Sequence, residues 1–212
     1  NRPYGKYCQI LDAPLSTGSG EWFLWEFPFA YWMEAQGYDV SYISNTDTHR
    51  APERLLRTKG FLSIGHDEYW SIEMFRHVQA AVKAGVNVGF FSGNAVCGRI
   101  AFSPDFQGRD YRVFERTGVF GPPGGTHEFT EMKSLSHERP YANELIGAHS
   151  TGPVTGGADW VCAKPGHWIF AGTGMQKGDG IPGLVGWEWH GDPAEIPGLE
   201  IVASSPTQSA PK

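Results

Sequence analysis

The sequence has few cysteines, no long apolar run and no cluster of basic residues, and each absence excludes a class of protein. Its three cysteines are odd in number and far apart, which excludes a disulfide framework and a CxxC metal site. The longest apolar runs, such as Val86–Phe91, are far too short to span a membrane. A net charge of −6 without a basic patch argues against nucleic acid as a partner. The isolated cysteines favour a reducing compartment, so we expect a cytoplasmic protein.

Glycine is the residue in excess, at 28 of 212 residues, nearly twice the usual share of roughly 7%. Aromatic residues make up 14% of the chain and supply large apolar surfaces for a core. We therefore expect a folded, loop-rich globular protein with a single domain over residues 1–212. The sequence lacks an initiator Met and a signal peptide and ends in a Ser- and Pro-containing stretch, so we expect a fragment of a longer chain.

Hydrophobic periodicity predicts alternating helices and strands over residues 1–100. The predicted elements are a helix across Trp22–Met33 ended by Gly37, a strand over 38–44, a short helix over 50–58, and strands over 60–65 and 86–91. These elements indicate an α/β protein.

The clearest helix begins after Ser71, a suitable N-cap. Its apolar stripe comprises Met74, Phe75, Val78, Ala81 and Val82, and Gly85 follows as a stop signal. Because this helix lies between two short apolar strands, the order predicts a βαβ unit and a parallel sheet with flanking helices.

Residues 101–212 differ in composition from the first half of the chain, since 18 of the 28 glycines fall there. Short β-like segments occur around residues 160–163, 167–172 and 184–190. We expect this half to consist of irregular β-structure and long loops.

Three predicted strands end in polar segments, at residues 44–49, 65–70 and 92–94. Because the carboxyl ends of parallel strands share one edge of a sheet, we expect these segments to converge on a ligand site. The segment Gly65–Trp70 holds His66, Asp67, Glu68 and Tyr69, all capable of metal binding or proton transfer. The alternative is that the two carboxylates favour the helix N-terminus while the aromatic residues pack.

Ser92 follows the next strand and could act as a nucleophile with His66 as its base, although the spacing does not match Gly-x-Ser-x-Gly. The simpler interpretation is a glycine turn in which Asn94 adopts a left-handed conformation. Cys97 fits a small buried apolar residue better than a reactive thiolate.

Two later segments could complete a site. One carries His127, Glu128 and Glu131 after a Pro-Pro-Gly-Gly stretch, and a solvated loop is the alternative. The other alternates so that Glu188 and His190 share one face of a strand, and an amphipathic strand is the alternative.

The motif Gly65-His-Asp-Glu-Tyr-Trp-Ser71, followed by Ala84-Gly-Val-Asn-Val-Gly-Phe-Phe-Ser-Gly-Asn-Ala95, resembles the C-terminal domain of the N,N-dimethylformamidase large (beta) subunit family. Matching stretches, including Pro182-Gly-Leu-Val-Gly-Trp-Glu188, extend the resemblance over nearly the whole chain. The resemblance implies a glutamine-amidotransferase-like, flavodoxin-like α/β core.

The resemblance also implies a ferric iron site held by two tyrosines and one glutamate. Tyr69 falls on the first tyrosine, and Glu128 is the best match to the glutamate, with Glu131 as its rival. The second tyrosine falls near residues 27–29, where this chain has none in register. Tyr31, one helical turn away, is the nearest candidate.

For proton transfer the resemblance implies a histidine beside the ligand glutamate, here His127, and a second glutamate, here Glu188. His66 is a further candidate from the polar segment. We assign substrate binding to Asp67, Ser92 and Asn94.

The resemblance thus implies an iron-dependent hydrolase that cleaves the C–N bond of a small amide, in which the ion would polarise the carbonyl. The resemblance further implies a small partner subunit and a homo-oligomer. One alternative is a non-catalytic amidotransferase-like module that binds a small ligand or carbohydrate through an aromatic cleft. Another is a hydrolase that uses Ser92 or Cys97 with His66.

Overall fold

The computed structural model describes residues 22–23, 26–91, 93–123, 135–150, 158–185 and 190–207. The chain divides into two compact units. The first comprises Asn1–Ala95 and Ile100–Glu115, and the second comprises Val96–Arg99 and Arg116–Lys212. Two such units can belong to one domain, so the single domain stays a prediction.

Helices and a small parallel sheet form most of the first unit. The helices are α1 (Glu26–Ala35), α2 (Asn45–Arg50), a 3-10 helix (Pro52–Arg57) and α3 (Ile72–Lys83). The strands are β1 (Gly60–Ile64), β2 (Tyr69–Ser71) and β3 (Asn87–Phe91). β1 pairs with β3 in parallel, in a register that aligns Gly60 with Asn87 and Ile64 with Phe91. The predicted parallel pairing is therefore confirmed.

The sequence signals of α3 are confirmed in detail. The Ser71 hydroxyl accepts a hydrogen bond from the backbone N–H of Met74, as expected of an N-cap. The buried face comprises Met74, Phe75, Val78 and Ala81. Val82 lies in the last turn and is exposed, so the buried face is shorter than predicted. Burial of a side chain such as Phe75 stabilises the fold by roughly 1.5–3 kcal/mol.

Of two predictions between residues 38 and 58, the strand is wrong and the short helix is confirmed. Residues 38–44, predicted as a strand, have no regular secondary structure. The Tyr42 phenol donates a hydrogen bond to Glu34, and the Ser44 hydroxyl caps α2 by accepting from Asp47 N at 3.1 Å. Because these polar groups bond locally, alternation alone did not make a strand. The predicted short helix over 50–58 is present as a 3-10 helix, Pro52–Arg57, with Pro52 in its first turn, where proline's missing N–H costs nothing.

A three-stranded sheet has the order β2-β4-β5, where β4 is Gly98–Ser103 and β5 is Val113–Val119. Asp105 orders the loop between β4 and β5. Its Oδ1 accepts from the backbone N–H groups of Gln107 at 2.9 Å and Arg109 at 3.0 Å. Its Oδ2 lies 2.7 Å from the guanidinium of Arg109.

The second unit is rich in strands, as the sequence predicted. Its elements are α4 (Asn143–Ile146), β6 (Ala148–Ser150), β7 (Ala158–Cys162), β8 (Gly180–Val185), β9 (His190–Pro193) and β10 (Ala203–Ser204). β6 pairs antiparallel with β9, and β7 lies between β8 and β10. The β-like segment predicted over 167–172 is instead a short 3-10 helix, Trp168–Phe170, because His167 caps it by accepting from Ile169 N at 3.3 Å.

Each unit has its own buried side chains. In the first unit they include Leu55, Trp70, Phe75 and Val78; in the second they include Val96, Cys97, Val119, Phe120 and Cys162. Cys97 and Cys162 are both buried, and the expectation of a buried Cys97 is confirmed. Over the described ranges, no helix has the length and apolar character needed to cross a membrane.

Candidate functional site

The parallel pairing of β1 with β3 creates the sheet edge at which the site was predicted. Ile64 and Phe91 end the two strands side by side, so the segments after them leave the sheet at the same edge. α1 approaches this edge, since the ring of Phe29 lies 5.5 Å from that of Phe91.

Asp67 joins two of the three polar segments predicted to converge. Its Oδ1 accepts a hydrogen bond from Asn45 Nδ2 at 3.1 Å, and its Oδ2 accepts one from Ser63 Oγ at 2.7 Å. Its backbone N–H donates to Gly65 O at 3.1 Å, closing a tight turn in which Gly65 has a φ of 76°. The carboxylate therefore holds the Gly65–Trp70 segment to both β1 and α2.

His66 and Glu68 form the polar pair of this segment. Their Nε2 and Oε2 atoms are 3.5 Å apart, and the Glu68 side chain is only 12% exposed whereas that of His66 is 40% exposed. A histidine with an accessible ring beside a sheltered carboxylate has the arrangement needed to hold a proton.

Tyr69 and Trp70 face opposite sides of β2, as successive strand residues do. Tyr69 is 37% exposed, whereas Trp70 is fully buried and packs edge-on against Phe61 at 6.4 Å. The Phe90 ring lies 6.0 Å away on the other strand of the parallel sheet. Packing of Trp70 therefore directs the Tyr69 phenol towards solvent.

Ser71 ends this segment and contacts a histidine that sequence reasoning did not assign. His49 Nδ1 lies 2.8 Å from Ser71 Oγ and 3.6 Å from a carboxylate oxygen of Glu73. Burial lowers the pKa of His49, Glu73 opposes that shift, and His77 adds to it. A catalytic triad places the hydroxyl and the acid on opposite ring nitrogens, whereas here both face Nδ1 and Ser71 is fully buried. This trio is therefore structural.

Asn94 lies in a buried turn after β3. Its φ is 55°, which confirms the predicted left-handed conformation, and it is 7% exposed. Val96 has the same φ of 55°, a conformation that is strained for a β-branched residue.

The predicted iron ligands are oxygen donors, which suit a ferric ion better than sulfur would. Tyr69 and Tyr31 both have exposed phenol rings, and the Tyr31 ring lies 6.1 Å from that of Phe27 on α1. Within the part of the chain that the structure describes, no three His, Cys, Asp or Glu side chains are grouped to bind a metal ion. The ligand roles of Tyr69 and Tyr31 stay predictions.

Several predicted site residues lie outside the described ranges, so their roles stay predictions too. They are Ser92, His127, Glu128, Glu131 and Glu188.

Sequence reasoning assigned no role to three residues that hold the Gly65–Ser71 segment, which are Asn45, His49 and Ser63. It assigned Ser71 only as a helix cap. A signal was present, since Asn45 and His49 are four residues apart and share a face when that stretch is helical. The predicted strand over 38–44 and helix over 50–58 left the stretch between them as a loop.

Comparison with known proteins agrees with the resemblance seen in the sequence. No curated protein matches the chain significantly. A family model described as N,N-dimethylformamidase beta subunit-like, C-terminal, matches residues 1–212. The chain therefore belongs to the N,N-dimethylformamidase beta subunit-like, C-terminal family.

Proposed function

We propose that this chain supplies the metal- and substrate-binding residues of a hydrolase that cleaves the C–N bond of small amides. The observation that carries the proposal is the exposed Tyr69 phenol, which lies in a segment anchored by Asp67 and next to the His66–Glu68 pair. The match to an N,N-dimethylformamidase-like family supports the reaction class. We also propose that β1, α3 and β3 belong to a glutamine-amidotransferase-like, flavodoxin-like core.

Tyr69, Tyr31 and Glu128 are the residues that would hold a ferric ion. When bound, such an ion supplies positive charge that polarises a carbonyl and lowers the pKa of water. Tyr31 lies two residues after Phe29, about 200° around α1 from the ring that packs on Phe91, so its ligand role rests on the family resemblance alone.

Proton transfer is assigned to Glu188, His127 and His66. Water adds to the amide carbon, the C–N bond breaks, and the proton taken from water passes to the leaving amine. The accessible ring of His66, with Glu68 beside it, supports a part for His66 in carrying that proton.

Substrate binding is assigned to Ser92, Asn94 and Asp67. The buried left-handed turn at Asn94 supports that position, because a rigid turn holds a polar group in one place. Asp67 already accepts a hydrogen bond at each carboxylate oxygen, so any contact it makes with substrate would use its remaining lone pairs.

The family description names a beta subunit, which supports our proposal that the chain works with a small partner subunit. We also propose a homo-oligomer, as the family resemblance implies. We also propose a cytoplasmic location, because the three cysteines of the sequence are odd in number and far apart.

Iron analysis and the visible spectrum of the intact protein test the proposal. Near-stoichiometric iron and a tyrosinate-to-iron charge-transfer band are expected, and Tyr69→Phe should abolish both together with amide hydrolysis. Tyr38→Phe is the matched control, because Tyr38 is also an exposed phenol but packs on Trp32 at a ring distance of 5.8 Å. A colourless protein that takes up no added iron would overturn the proposal and favour the non-catalytic binding module.

A further inference from the structure

Helix α2 contacts the segment around Tyr69 at two points with matched spacing. Asn45 donates to Asp67 at 3.1 Å, and His49 lies 2.8 Å from the hydroxyl of Ser71. Asn45 and His49 are four residues apart, so they lie on one face of the helix. Asp67 and Ser71 are also four residues apart, and Tyr69 stands midway between them.

We propose that α2 is a brace that sets the position of the Tyr69 phenol, with Asn45 and His49 as positioning residues. This inference rests on the proposed function, because it gives Tyr69 a ligand role. Asn45 and His49 are not proposed as ligands; they act on Tyr69 through Asp67 and Ser71.

Both anchor points are themselves held by a second element. The other carboxylate oxygen of Asp67 accepts from Ser63 of β1 at 2.7 Å. Ser71 is fully buried, and its hydroxyl accepts from Met74 N of α3 at 3.1 Å. Tyr69 is thus two residues from a fixed point on either side, and a shift of its backbone would break one of these bonds. Ligand positions held in this way need no reorganisation on binding.

The brace is also attached to α3 at a third point that does not involve the Tyr69 segment. His77 Nδ1 lies 2.9 Å from the backbone carbonyl of Thr48, which is buried in α2. Loss of this contact would loosen α2 from α3 and leave both anchors in place. His77→Ala is therefore a matched control for His49→Ala. Each variant removes a histidine that links α2 to α3, but only His49 contacts Ser71, one of the two residues that hold the Tyr69 segment.

The test compares Asn45→Ala, His49→Ala, His49→Asn and His77→Ala in the intact protein, with added ferric iron as the probe. Removal of a group bonded directly to a metal ligand typically costs about 10- to 100-fold in affinity. His49 acts one bond further out, so His49→Ala should weaken iron binding by about tenfold, the lower end of that range. Asn45→Ala should weaken it less, because its bond to Asp67 is exposed to water. His49→Asn should restore binding, since its amide offers both a donor and an acceptor near the place of Nδ1.

His77→Ala should keep wild-type iron affinity even where it lowers thermal stability. Unchanged iron affinity in both Asn45→Ala and His49→Ala would overturn the brace. Equal loss of affinity in His77→Ala and His49→Ala would also overturn it, because the effect would then be general destabilisation.

A second readout separates failure of the brace from failure of the proposed function. Amide hydrogen exchange at residues 66–70 of the metal-free protein should speed up in Asn45→Ala and His49→Ala and stay unchanged in His77→Ala. A wild-type protein that takes up no iron overturns the proposed function. In that case the hydrogen-exchange rates of the variants alone test whether α2 holds the Tyr69 segment. Unaltered exchange in all variants would overturn it.

Discussion

Replacement of Ser71 by Ala tests how strongly a buried cap holds the helix behind the site. The Ser71 hydroxyl caps α3 through Met74 N at 3.1 Å and also contacts His49 at 2.8 Å. Loss of an N-cap costs about 1 kcal/mol, and loss of a buried hydrogen bond costs about another 1 kcal/mol. The free energy of unfolding should therefore fall by about 2 kcal/mol, a drop in Tm of about 4–8 °C for a chain of this size.

Ser44→Ala is the matched control for this measurement. Ser44 caps α2 through Asp47 N at the same 3.1 Å, with nearly the same backbone angles, but its hydroxyl is exposed and has no partner on another helix among the described residues. We expect it to cost about 1 kcal/mol or less. Urea unfolding followed by circular dichroism measures both variants. Equal costs for the two would refute the reasoning, because the contact with His49 would then contribute nothing.

Two further predictions concern pH and backbone packing. Burial lowers the pKa of His49, so the unfolded chain binds a proton more readily and the free energy of unfolding should fall as pH drops through about 6.5. His49→Asn should flatten that part of the stability curve measured by urea unfolding at several pH values; parallel curves for variant and wild type would contradict this. Gly118→Ala should cost about 1–3 kcal/mol, because a Cβ would lie 2.6 Å from the backbone oxygen of Ser136. Gly166→Ala, where a Cβ meets nothing within 4 Å, is the control, and similar melting temperatures for the two variants would contradict the overpacking.

Local signals predicted the central part of the fold. A capping serine, an apolar stripe at helical spacing and a glycine stop placed α3 within a residue or two, since these depend on neighbours along the chain. The parallel pairing of β1 with β3 could also be predicted, because two short apolar strands joined through a helix pair in parallel and not as an antiparallel hairpin.

Alternation was a poor guide where aromatic residues had other contacts. The alternating segment 38–44 does not form a strand, because Tyr38 packs on Trp32 of α1 and Tyr42 donates to Glu34 of the same helix. A strand depends on a neighbouring strand, and whether one is available is decided by tertiary structure.

The sequence by itself determined which chemical groups stand at the edge of the parallel sheet, because strand ends and glycine turns are local features. It indicated His66, Asp67, Glu68 and Tyr69 for that edge. It also indicated the family to which the chain belongs. Only the tertiary structure decided that Asp67 and Ser71 are bonded to Asn45 and His49, each 22 residues away. Those partners depend on how α2 packs against α3, and side-chain bonds across such a distance leave no periodic pattern in a sequence.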